Sequence, residues 1–132
     1  MTFLGVRRDV EAWMRRAGLV VQPSRFEGFP NVVLEAMGSG AAVISADCPA
    51  GPAELIENAH NGCLVPVDDY LELANTMADL MSQPEKRARL GREALRVQER
   101  FGQARVMALW ESALLGVAPL TAGGSCFEKR TR

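Results

Sequence analysis

Apolar and polar positions along this 132-residue chain follow two rhythms. Short continuous apolar runs, LVVQPS (19–24), AAVISA (41–46) and CLVPV (63–67), have the length and composition of strands, and TFLG (2–5) reads as a further short one. Between them apolar residues return every three or four positions, which predicts helices. One covers 7–18, with Val10, Trp13, Met14 and Ala17 at helical spacing and Gly18 as its stop. Asn31 is a plausible N-cap for a helix over 32–40, ended by glycines. A short helix over 53–60 is closed by Asn61-Gly62. An amphipathic helix over 68–83 starts on acidic residues, where the helix dipole favours them. Helices over 84–102, with Pro84 near the first turn, and over 104–116 complete the pattern. Residues 117–132 carry no periodicity and are expected to form a disordered tail.

Strands that alternate with helices, and that are apolar throughout, belong to a parallel sheet covered on both faces. The expected fold class is therefore α/β, Rossmann-like, with one domain over 1–116.

Composition adds exclusions. The chain is 48% hydrophobic and 23% charged with net charge −1, as in an ordinary globular domain with no electrostatic case for nucleic-acid binding. No apolar run approaches the ~18 residues a membrane span needs. The opening MTFLGVRRDVEAW does not read as a secretory signal, because Arg7 and Arg8 follow too few apolar residues. Cys48, Cys63 and Cys126 match no zinc spacing and imply no disulfide framework, so a reducing cytoplasm is the simplest setting. Charge is unevenly spread: Lys and Arg are missing from Phe26 to Glu85, whereas seven basic residues fall between Lys86 and Arg105. That basic helix interleaves Glu93 and Glu99 and reads as a solvated face rather than a lipid-binding one.

The stretch EGFPNVVLEAMGSG (27–40) carries the candidate chemistry. In parallel α/β sheets ligands sit at the carboxyl ends of strands, against the N-termini of the helices that follow. Loop 24–31 is such a place. Amides of Val32, Val33 and Leu34 would be unpaired first-turn donors suited to a phosphate. Pro30 donates nothing and sets the chain direction, and Gly28 lets a ligand approach the backbone closely. Glu27 precedes the turn and Glu35 lies one helical turn inside it. Carboxylates repel phosphate but accept strongly from hydroxyls. Hydroxyls, diphosphate, hydroxyls is the layout of a nucleoside diphosphate sugar. The same glutamates would also stabilise a helix start with no ligand at all.

The run PSRFEGFPNVVLEAMGSGAAVISADCPAGPAELI, with FLGVRRDV before it and NGCLVPVDD after it, resembles the donor-binding half of retaining GT-B glycosyltransferases of the large family-four type. Glu27 and Glu35 match that family's E-x7-E motif, and the resemblance extends over roughly residues 2 to 115. It implies Glu27, Gly28, Phe29 and Asn31 on the donor hexose, the Glu27 carboxylate and the Phe29 and Asn31 amides making the contacts. It implies the Val32 and Val33 amides on the diphosphate, and Glu35 on the ribose hydroxyls. It assigns no catalytic nucleophile, metal or cofactor. The implied reaction moves a hexose, with retention, from a UDP- or GDP-sugar to a glycan or lipid-linked acceptor. The CPAGPAEL turn (48–55) looks more like hexosaminyl or galactosyl transferases of surface polysaccharide pathways. The same resemblance implies a partial C-terminal domain, its acceptor-binding N-terminal domain and a phosphate-facing Arg and Lys lying upstream. It also implies a cytoplasmic protein, peripheral at most on the inner membrane face. A non-catalytic nucleotide-binding module or a truncated remnant is the alternative. Arg25 is read as a solvated loop residue before a phosphate contact, Asp47 as a turn acceptor, Cys48 as a turn residue and His60 as a cap rather than a base.

Overall fold

The computed structural model describes residues 1–116; the segment expected to be a disordered tail lies outside the described residues. The elements run α1 (Val10–Arg16), β1 (Val20–Gln22), α2 (Asn31–Gly38), β2 (Val43–Ala46), α3 (Pro52–Leu55), β3 (Cys63–Val65), α4 (Tyr70–Ser82), α5 (Pro84–Ala94), α6 (Val97–Phe101) and α7 (Gln103–Leu115). The strands form one parallel sheet in the order β1-β2-β3. Register pairs Val20 with Val43 and Ile44 with Cys63, so Gln22, Ala46 and Val65 close the three strands along one edge. This is the expected Rossmann-like parallel α/β arrangement.

All four residues of β2 are buried, because the strand is central and both its faces are covered. Successive side chains point to opposite faces. Val43 packs with Met14, Val33, Ala36, Met37, Leu55, Ile56, Ala94 and Val97, a core shared with α1, α2, α3 and α6. Ile44 packs with Cys63, Val65, Leu80 and Leu90, a second core shared with α4 and α5. Helix α5 thus reaches both cores, and it crosses the β2 approach closely. A Cβ at Gly91 would lie 2.2 Å from the Gly40 carbonyl oxygen, so only glycine allows that crossing.

The main helix starts behave as expected where a side chain can reach back. Asp69 accepts from the Glu72 amide at 2.9 Å and caps α4, satisfying one of its orphan donors. Four expectations need correction. Residues 2–5 form no strand; Phe3 and Leu4 are exposed and pair with none of the three strands. Asn31 is not the cap of α2 but its first helical residue. The Pro30 carbonyl accepts from the Leu34 amide at 3.0 Å and starts the helix one position earlier. The helix expected over 53–60 lasts one turn, and Asn61 instead folds the following loop by accepting from the Glu57 amide and donating to the Leu55 carbonyl. The helix expected over 84–102 breaks into α5 and α6, so that Ala94 and Val97 both reach the first core.

Candidate functional site at the carboxyl edge of the sheet

Loop 23–30 leaves the end of β1 and enters α2, as the chain pattern suggested. Pro30 is among the most fully buried residues and anchors the turn. The loop before α3 leans on it: Gly51, at φ +133°, brings its backbone so near that a Cβ there would lie 2.3 Å from Pro30 Cδ. Its neighbour Ala50 is also in the left-handed region, at φ +63°. Phe29 packs on Phe101 of α6, ring centroids 6.0 Å apart. The Arg100 guanidinium also lies over the Phe101 ring, 5.1 Å from its centre.

The amides at the start of α2 sort into two groups. The Asn31 amide donates to the Phe29 carbonyl at 2.9 Å, and the Leu34 amide, expected to be free, donates to Pro30. Asn31, expected to turn its amide toward a sugar, thus spends that donor inside the turn. The Val32 and Val33 amides have no protein partner among the described residues. Val33 itself is fully buried, which fixes the helix, whereas Val32 is half exposed.

The two carboxylates differ. Glu35 is exposed on α2, about 6 Å along the axis from Asn31 at 1.5 Å per residue, and its side chain meets no protein partner among the described residues. Glu27 is partly buried, and Gln22 Nε2 donates to its Oε1 at 2.6 Å. Gln22 is a residue that reading the chain missed. Its signal was a polar side chain closing an apolar strand. Gln22 Oε1 is buried with no hydrogen-bond partner among the described residues, an arrangement that costs about 1–3 kcal/mol. Gly28 is exposed, and a Cβ there would meet nothing within 4 Å. Its lack of a side chain therefore serves nothing inside the protein.

Arg25 is held at the loop's other end. Its Nε donates to Asp68 Oδ1 at 2.7 Å and its guanidinium to the Tyr70 hydroxyl at 3.2 Å. The hydrogen bond from Arg25 holds the Asp68 carboxyl below the usual carboxylate range, and Asp68 in turn raises the Arg25 pKa. Asp68 sits at φ +63°, so the loop before α4 is bent to make this contact. The group walls a cleft of about 300 Å³ whose floor is Ala46 and Val65, at the strand ends. Neither Glu27 nor Glu35 lines this cleft or the two others, beside Asp79 and Lys86 and beside Gln83 and Pro84, and Lys86 is already paired with Asp79 at 2.6 Å. Cys48 and Cys63 are buried core residues, and burial pushes the Cys63 thiol up. His60 is half exposed beside Glu93, far from a role as base in this loop by sequence and by contact. Among the described residues no His, Cys, Asp or Glu cluster could hold a metal, and no helix is long and apolar enough to cross a membrane.

A parallel α/β sheet with Glu27 in the loop after its first strand and Glu35 on the helix that follows defines a Rossmann-like domain. The chain belongs to the family "Glycosyl transferases group 1", whose model matches residues 1–83. It is 40% identical over 94 residues to the lipopolysaccharide core biosynthesis mannosyltransferase LpcC of Rhizobium leguminosarum bv. viciae, covering 71% of this chain and 26% of that protein. Its fold is similar to that of HepE from Anabaena in complex with UDP, with a TM-score of 0.83 and 30% identity, over 88% of this chain and 32% of that one. It is also similar to the C-terminal domain of a group 1 glycosyl transferase, LpcC of Francisella tularensis, with a TM-score of 0.66 and 29% identity, over 76% and 51% of the two chains. HepE is also known with UDP-glucose bound. The chain thus spans only part of the length of these relatives, as the shares of 26% and 32% state. The fold is that of a partial GT-B C-terminal domain.

Proposed function

We propose that these residues form the donor-binding part of a hexosyltransferase that uses a UDP- or GDP-sugar. The observation that carries the reading is the order along the chain from the end of β1 into α2: Glu27, then the Val32 and Val33 amides, unpartnered among the described residues, then Glu35. Glu27, Gly28, Phe29 and Asn31 surround the hexose, with the Glu27 carboxylate accepting from its hydroxyls. The Val32 and Val33 amides meet the diphosphate, and Glu35 accepts from the ribose hydroxyls. UDP and UDP-glucose in HepE, whose fold is similar, support a nucleotide sugar as the ligand. In the reaction the bond from the anomeric carbon to the diphosphate breaks. The bond to the acceptor oxygen forms on the same face, and the acceptor's proton passes to the leaving diphosphate. No metal or cofactor takes part. The acceptor, a glycan or lipid-linked saccharide, is held by a lobe outside these residues, at the cytoplasmic side of the membrane.

A second reading has one observation in its favour. Arg25, the cation nearest the glutamates in sequence, is already engaged by Asp68, and a leaving diphosphate needs compensating charge. On that reading the residues bind a nucleotide without transfer.

Calorimetric titration with UDP, GDP and ADP, repeated on Glu35→Ala, tests the donor site. One nucleotide binds, and Glu35→Ala weakens it tenfold or more, about 1.4 kcal/mol. A folded chain that binds none of the three refutes the proposal. Transfer to an acceptor once an acceptor lobe is supplied separates the first reading from the second.

A further inference from the structure

We infer that Gln22 is a positioning residue for the donor sugar, acting through Glu27; this rests on the donor-site reading above. Gln22 ends β1, held by the ladder opposite Ser45 and 8% exposed. From there it reaches across the loop to Glu27, five residues on, and donates Nε2 to Oε1 at 2.6 Å. The amide cannot turn over, because its carbonyl oxygen would then face a carboxylate oxygen, acceptor against acceptor. Glu27 therefore dictates the orientation, and the consequence is the buried Gln22 Oε1 with no donor.

Buried acceptors are nearly always satisfied. The rest of β1 is apolar, Val20 and Val21, so a methionine of similar length would suit the core better than the glutamine present. The contact with Glu27 is what the glutamine provides. Glu27 needs it, because Phe26 and Gly28 on either side are exposed and nothing else among the described residues holds its carboxylate. A carboxylate that swings freely would have to be ordered each time a hexose bound. One hydrogen bond from a rigid strand removes that requirement.

The test is Gln22→Met in the whole chain, with affinities for UDP and UDP-glucose, and for GDP and GDP-mannose, measured side by side with thermal melting. Melting of Gln22→Met is expected at or above the wild-type temperature, since the orphan acceptor is gone. Affinity for the free diphosphate is expected to hold, while the extra affinity that the hexose adds falls about tenfold. In a Glu27→Ala background Gln22→Met is expected to change nothing further. A lowered melting temperature with equal losses for diphosphate and sugar would make Gln22 a structural residue and overturn the inference. So would an unchanged hexose increment. A wild-type chain that binds neither diphosphate nor sugar overturns the donor-site reading itself, which is a separate outcome. A ligand-free arm uses NMR: the Gln22 side-chain amide protons are expected to be slow to exchange and to shift in Glu27→Ala. Free exchange, indifferent to Glu27, refutes the contact.

Discussion

Replacing Gly51 by alanine attacks the candidate site without touching either glutamate. The residue occupies φ +133° and ψ −57°, a conformation that L side chains rarely adopt. Forcing a side chain there costs about 1–3 kcal/mol. Its Cβ would also lie 2.3 Å from Pro30 Cδ and 3.0 Å from Cγ, and Pro30 is fully buried and cannot step aside into solvent. Overpacking of that kind costs about 1–3 kcal/mol more. The two terms share a single escape, a shift of the loop before α3, so the expected loss is about 2–4 kcal/mol rather than their full sum. Urea denaturation followed by circular dichroism reads it directly as a lower midpoint at constant slope. Gly28→Ala is the control: a Cβ there meets nothing within 4 Å, and the change is expected to be neutral or to stabilise by about 0.4–1 kcal/mol. Trimming Pro30 to alanine in the Gly51→Ala background is expected to recover part of the loss. A loss under about 1 kcal/mol, on the scale of an ordinary surface change, would refute this account of how the turn is seated. So would indifference to Pro30.

Two other outcomes follow from contacts away from the glutamates. Asp69→Ala removes the acceptor for the Glu72 amide and is expected to cost about 1 kcal/mol in the same urea assay, with nucleotide affinity unchanged. The Asp68 carboxyl, lowered chiefly by its hydrogen bond from Arg25, is expected by carbon-13 NMR to titrate below the usual aspartate range and to return to it in Arg25→Ala. The sign follows from the direction of the shift. A depressed folded value means that the pair's contribution is complete above the ordinary aspartate pKa and is lost as pH falls through the lowered one. A normal Asp68 titration in wild type would remove the pair from solution.

The chain pattern disclosed what burial alone decides. AAVISA is apolar throughout because β2 lies between two cores. Acidic residues opened α4 because Asp69 caps it. Glu27 and Glu35 fell on the loop and helix expected for them, since strand, turn and helix are local features. What stayed hidden depended on partners distant in the chain. Nothing in EGFPN indicates that the Pro30 carbonyl, rather than Asn31, would start α2, since either can do so. The split between α5 and α6 has no glycine or proline at Leu95 or Arg96 to announce it; it exists because Ala94 and Val97 both reach a core on the far side of the sheet. Phe29 and Phe101 meet across 72 positions of sequence. TFLG has a strand's composition, but a strand also needs a neighbour, and composition does not supply one.

These long-range contacts explain how a loop can hold two unpartnered amides in place. A helix start left open to water is ordinarily frayed or capped. Here Asn31, in the first turn, ties its amide back to Phe29, and among the described residues no side chain accepts from the amides of half-exposed Val32 or buried Val33. The turn is instead gripped from three sides: Gly51 against Pro30, Phe101 against Phe29, and Gln22 against Glu27. Each grip comes from a different element, the α3 loop, α6 and β1, so no single segment can relax without meeting the others. On the donor-site proposal, holding donors fixed and uncapped raises the free energy of the empty protein slightly and lowers the ordering cost of binding a diphosphate. A loop serving only as a connection gains nothing from that arrangement, because a capping serine or aspartate at position 30, where Pro30 starts the helix, would close it more cheaply. On the donor-site proposal, the unpartnered amide of half-exposed Val32, as well as the two glutamates, is what these grips hold ready.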